Sequence, residues 1–212
     1  MKFLVQIKFI IQLVVFLLFT SCSLQTTKNW VNTETNQEFV ENTYFSDTNI
    51  DYVYKAKINV YNQKFGGILI IKKTGEQEHR VVFTTEFGTK LFDFKYVGET
   101  FTKEFIIEEL DKKYIVNTLQ KDFKLLISEK AIIQEKYEVD GDEVYKTKTD
   151  KRTNFYFINK KTHTLDKIVN ATKSKEKVVL LFAKIDDEVA NKININHQNI
   201  KLQIELEKFA KE

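Results

Sequence analysis

From Asp51 to Leu206 the chain alternates apolar and polar residues in short runs, and no proline interrupts any of them. A period of two sends successive side chains to opposite faces of a strand, so each run can bury one face and wet the other. In Tyr52 to Tyr61, Tyr54, Ala56, Ile58 and Val60 alternate with Lys55, Lys57 and Asn59. Phe65 to Ile71 carries two glycines and is apolar on both faces, which calls for a covering layer. A polar turn at Thr74-Gly75-Glu76-Gln77 leads to Val81 and Phe83. Leu91, Phe92 and Phe94 continue the meander, and Tyr96, Phe101, Phe105 and Ile107 suggest another strand beyond Val97-Gly98-Glu99-Thr100. Later runs are Lys136 to Val139 and Glu143 to Thr149, joined by the strong hairpin signal Asp140-Gly141-Asp142. Asn154 to Asn159, Leu165 to Ala171 and Lys177 to Ile185 follow. A last pair, Ile193 and Ile195 with Ile200 to Leu206, flanks Asn196-His197-Gln198-Asn199.

One segment breaks this pattern. Between Asp111 and Ser128, Ile115, Leu119, Phe123, Leu126 and Ile127 recur at spacings of three and four, the stripe of an amphipathic helix. Ten or eleven short strands with one inserted helix predict a mainly β fold, an up-and-down antiparallel sheet curled into a barrel or half-barrel. The helix is expected to pack over the sheet or plug it. The 18 Phe and 9 Tyr either fill the interior or line an apolar cavity, and alternation alone leaves both open.

The turn Thr85-Glu86-Phe87-Gly88-Thr89 places a large aromatic where polar residues normally stand. Exposing that ring costs roughly 2 kcal/mol, so Phe87 points to a contact outside the domain.

The beginning of the chain is different. Lys2 and Lys8, an apolar run from Phe9 to Phe19 broken only by Gln12, and the small residues before Cys22 have the layout of a secretory signal over residues 1–21. The run is about half the roughly 20 residues a membrane-spanning helix needs. Residues 22–37, rich in Thr, Asn, Ser and Gln, suggest a tether, with a single domain over 38–212. Trp30, Phe39, Val40 and Phe45 suggest one short helix. Removing Met1 to Ser21 leaves 31 basic against 30 acidic side chains, so no basic footprint for nucleic acid survives. His79, His163 and His197 fall in separate turns or strand ends and are expected at the surface, without metal spacing. No catalytic elbow or phosphate-cradling loop is present; neither a cofactor, a metal nor an enzymatic activity is expected.

Two sets of residues carry a resemblance. Phe19-Thr20-Ser21-Cys22, with the chain's one cysteine, resembles a lipobox, whose cysteine is acylated; Ser23 resembles the residue that follows it in lipoproteins sent to the outer membrane. Gln63-Lys64, Thr74-Gly75, Arg80-Val81-Val82-Phe83-Thr84 and Phe87-Gly88-Thr89 with Leu91 resemble the early strands of the LolB/LolA lipoprotein-sorting family. The resemblance implies a curved antiparallel half-barrel with a helical lid over an apolar cavity. It implies an outer-membrane lipoprotein, anchored at Cys22 on the periplasmic face, that accepts acylated lipoproteins from a LolA-like periplasmic carrier and inserts them into the membrane. In that family the loop between the third and fourth strands presents a leucine needed for insertion. Phe87 falls at that position, before Gly88 and after Glu86. The acyl chains would then lie against Ile58, Val60, Leu69, Ile71, Val81, Phe83, Phe92, Phe94, Leu119, Phe123 and Leu126. Two alternatives remain: a module of the same fold for another lipid or amphiphile, and a structural surface lipoprotein with a filled interior.

Overall fold

A computed structural model describes residues 27, 30–149, 152–186 and 189–209, without the side chains of 184–186. The signal segment and Cys22 lie outside the described residues. Among those described, the chain runs through β1 (Val31–Thr33), β2 (Phe39–Glu41), β3 (Asp51–Val60), β4 (Gln63–Gly75), β5 (Glu78–Thr84), β6 (Lys90–Val97) and β7 (Thr100–Ile106). After α1 (Lys113–Ile127) come β8 (Lys130–Val139), β9 (Asp142–Lys148), β10 (Thr153–Asn159), β11 (Leu165–Ala171), β12 (Glu176–Asp186), β13 (Val189–His197) and β14 (Leu202–Lys208).

All the strands join one antiparallel sheet in the order β1-β8-β9-β10-β11-β12-β13-β14-β3-β4-β5-β6-β7, with β2 also on β8. From β3 to β7 and from β8 to β14 neighbours in sequence are neighbours in space; α1 carries the chain from edge strand β7 to β8, and β14 pairs with β3. The sheet is curved and open, with edges at β7 and β1, so the expected alternative of a closed barrel gives way to the half-barrel. Because every pairing is antiparallel, β3, β5, β9, β11 and β13 end on one rim, here called upper, and β4, β8, β10 and β12 end on the lower rim.

The alternation holds on the concave face. Tyr54, Ala56, Ile58 and Val60 of β3 are buried there, as are Leu69 and Ile71 of β4 and the inward residues of β5 and β6. Two further pieces fill the concavity. The stripe of α1, Ile115, Leu119, Phe123 and Leu126, is fully buried against the sheet. Residues 42–45 also turn inward: Phe45 is 1% exposed, Tyr44 donates its hydroxyl to the Leu165 carbonyl (2.6 Å), and His79 donates Nε2–H to the Phe45 carbonyl (3.0 Å). α1 has no side-chain N-cap and no acidic residue in its first turn, so burial of the stripe, more than local propensity, holds it. Lys124 in its last turn complements the helix dipole and donates to the Gly98 carbonyl.

The N-terminal expectations need correction. Trp30, Phe39, Val40 and Phe45 share no helix, and Val31 to Thr33, within the expected tether, form a strand. Val31 to Thr33 pairs with Lys136 to Glu138, and Phe39 to Glu41 pairs with Lys130 to Ile132, two short strands sharing one edge of β8. Three-residue strands are fixed by backbone hydrogen bonds to an existing edge and show no side-chain period. Trp30 anchors them, with its ring 5.5 Å from Tyr137, 5.5 Å from Phe155 and 5.7 Å from Phe157. This small apolar cluster covers the convex face of β9 to β11. Among the described residues β4 has no such layer: on its convex face Ile70 lies directly between Val53 and Val82, and the three half-bury one another.

Candidate functional site

The β5–β6 turn stands on the upper rim. Thr85 N–H donates to the Thr89 carbonyl (2.8 Å), Gly88 N–H to the Thr85 carbonyl (3.0 Å), and Thr89 N–H to Thr85 Oγ1 (3.1 Å). Gly88 closes the turn at φ +85°, where other residues are strained. Phe87 at the apex is 98% exposed, as its position in the sequence predicts. Glu86 turns back to Lys55 at 3.7 Å, with both side chains more than half exposed, so the pair adds at most about 1 kcal/mol. The hairpin is set against β4 by Gly67, where a Cβ would lie 1.9 Å from the Thr84 carbonyl oxygen. At its base Arg80 grips Asp93 through two hydrogen bonds of 2.8 and 2.7 Å, and Lys90 adds a third at 2.6 Å. Asp93 is 1% exposed, and the Arg80 guanidinium, followed by Lys90, holds its carboxyl below the usual aspartate range. Phe87 is therefore an apolar side chain held out on a braced support.

The eleven residues expected to meet acyl chains come together. Ile58, Val60, Leu69, Ile71, Val81, Phe83, Phe92 and Phe94 from β3 to β6 form one cluster with Leu119, Phe123 and Leu126 of α1, each at most 1% exposed. Phe92 stacks on Phe94 at 4.5 Å and meets Phe123 at 5.6 Å. The helix thus lies directly on this face, with the inward loop beside it.

An open cleft of about 750 Å³ lies elsewhere, between α1 and the upper ends of β8 to β13, and none of the eleven lines it. It arises from a departure in the alternation. On the concave face Tyr145, Tyr156, Ile168, Leu180 and Ile195 lie abreast across β9 to β13 as one row of the core. One step toward the upper rim the row reads Thr147, Asn154, Asn170, Val178 and His197, polar at four of five inward positions. Asn170 donates its amide to Asn154 (2.6 Å), and Asn154 and Thr147 are buried. His197 holds Asp122 of α1 at 2.7 Å between Nε2 and Oδ2. Burial pushes the Asp122 carboxyl up, and His197 opposes that shift.

His79 and His197 are therefore largely buried, contrary to expectation, and only His163 is exposed. Each of the two found a hydrogen-bond partner inside the fold. The sequence does carry a sign of the second: Asp122 lies seven residues after Ile115 and four before Leu126, on the apolar stripe of the helix, where a carboxylate needs a partner.

Fold and site together define, among the described residues, a curved, open antiparallel sheet wrapped around α1, with a braced aromatic tip. No family model matches the sequence, and no curated protein does. Among solved structures, the LolA superfamily protein NE2245 from Nitrosomonas europaea superposes with a TM-score of 0.52, over 80% of this chain and 88% of that one, at 7% identity. The likeness is one of fold.

Proposed function

We propose that this chain is a LolB-like outer-membrane lipoprotein, acylated at Cys22, that accepts acylated proteins and inserts them into the bilayer. The observation that carries the reading is Phe87, an aromatic ring 98% exposed on a hairpin braced by Thr85, Thr89, Gly67 and the Asp93 cluster. A bare ring in water is unfavourable, and in a bilayer the same area becomes favourable. Acyl chains would lie against the cluster of β3 to β6, in the space the stripe of α1 occupies, so loading requires the helix to lift. Each acyl methylene kept from water is worth about 0.8 kcal/mol, so cargo passes between apolar sites, from a LolA-like carrier to this chain to the membrane, without a nucleotide.

The anchor constrains how the domain sits. Eight residues from Cys22 to Trp30 span at most about 28 Å, so the anchored domain stays within that reach of the bilayer. Phe87→Glu tests the reading: the variant folds, holds acylated cargo and fails to release it into vesicles. Release at the normal rate rejects the insertion role.

A further inference from the structure

The polar cleft is not accounted for by a role in acyl-chain transfer, and its electrostatics point to a ligand of its own. Six basic side chains line it, Lys121, Lys124, Lys130, Lys148, Arg152 and Lys177, against Glu99 and Asp122. Lys124 is held by Glu99 and Lys130 by Glu41, and Asp122 is tied to His197. Among the described residues the other four cations have no ion pair. Nη1 of Arg152 is closed off from water and has no hydrogen-bond partner among them, a demand that a bound acceptor would meet.

These residues are ordered by depth. Lys148 at the end of β9, Arg152 just before β10 and Lys177 at the start of β12 stand together at the mouth, where these strands end or begin. The row below is Thr147, Asn154, Asn170 and His197, which supplies neutral hydrogen-bonding groups. Below that lies the apolar row of Tyr156 and Leu180, and Leu125 of α1 and Ile200 add apolar surface to the cleft wall. A gradient from cationic rim through polar band to apolar wall matches a molecule with an anionic head and an apolar body. The volume is that of a small-molecule site and too small for a folded partner. Several free cations at one mouth favour a head with close to two negative charges, a phosphomonoester, over a single carboxylate.

We propose that this cleft binds a single-chain amphiphile with a phosphate head group, the phosphate held at the rim by Arg152, Lys148 and Lys177 and the chain directed along Leu125 and Ile200. The site is separate from the Phe87 tip, and the proposal stands whether or not the chain inserts lipoproteins.

Calorimetric titration of the full chain with decyl phosphate, decyl maltoside and inorganic phosphate, each below its micellar concentration, tests it. Decyl phosphate is expected to bind at least tenfold more tightly than either of the others. The double variant Arg152→Gln, Lys177→Gln should lose at least tenfold for decyl phosphate while its affinity for decyl maltoside stays unchanged. Circular dichroism reports whether that variant folds, and Lys148→Gln, at an exposed rim position, gives the same selective loss at about threefold if it does not. Equal affinity for the two decyl compounds overturns the proposal. So does inorganic phosphate binding as tightly as decyl phosphate, which would assign the rim to a free anion.

Discussion

Replacing Phe123 with alanine probes how the concave interior is held. Phe123 sits at the middle of the α1 stripe, fully buried, with its ring 5.6 Å from Phe92, which in turn stacks on Phe94. Removing the ring deletes the transfer energy of a phenyl group and leaves a cavity between helix and sheet. For a fully buried phenylalanine the two together cost about 3–5 kcal/mol. In a domain of this size each kcal/mol lowers Tm by roughly 2–4 °C, so a fall of roughly 6–20 °C is expected. Urea and thermal unfolding of Phe123→Ala, followed by circular dichroism, measure it. The fully exposed Phe87→Ala serves as the control and should leave stability within about 0.5 kcal/mol. A loss below about 1 kcal/mol for Phe123→Ala would refute the reasoning, because the ring would then have little packed against it.

Three further outcomes follow from the geometry. Gly67→Ala should destabilise by about 1–3 kcal/mol in urea titration, since its Cβ would meet the Thr84 carbonyl at 1.9 Å and force β4 and the tip hairpin apart; a neutral substitution would contradict that close approach. Asp93 contributes stability above the unfolded aspartate value of about 3.9 that is lost as pH falls through its lowered folded value, so Asp93→Asn should flatten the acid limb of a stability–pH profile below about pH 4. An unchanged acid limb would argue against the Arg80–Asp93–Lys90 cluster. Trp30 is the one tryptophan of the chain, so its emission reports docking on the convex face. Phe155→Ala should shift that emission to longer wavelength in the native protein, and an unshifted spectrum would mean the ring does not rest there.

The strands were legible because a curved sheet with one dry face imposes period two on nearly every run, from Tyr54–Val60 to Ile204–Leu206. The helix was legible for the matching reason: expected over Asp111 to Ser128, it spans Lys113–Ile127. The tip was visible as well, since an aromatic beside a glycine in a turn has no local explanation. β1 and β2 left no mark because three residues paired to an edge carry no period. Trp30 was misplaced with them, its partners Tyr137, Phe155 and Phe157 lying more than a hundred residues away. The cleft was hidden for a related reason. Thr147, Asn154, Asn170 and His197 each look like ordinary strand-end polar residues, and only the register across β9 to β13 shows that they share a row and face inward. Asp122 was the one local signal, a carboxylate on an apolar stripe.

The proposed function is tested most directly by transfer of an acylated protein into lipid vesicles, comparing the wild-type chain with Phe87→Glu at equal cargo loading. Loss of Phe87 from the bilayer removes about 1.5–3 kcal/mol of favourable burial, which corresponds to roughly a ten- to hundredfold slower release. Unaltered folding and cargo binding with release slowed in that range is the predicted result; release by the variant at the wild-type rate would contradict a membrane-inserting role for the tip.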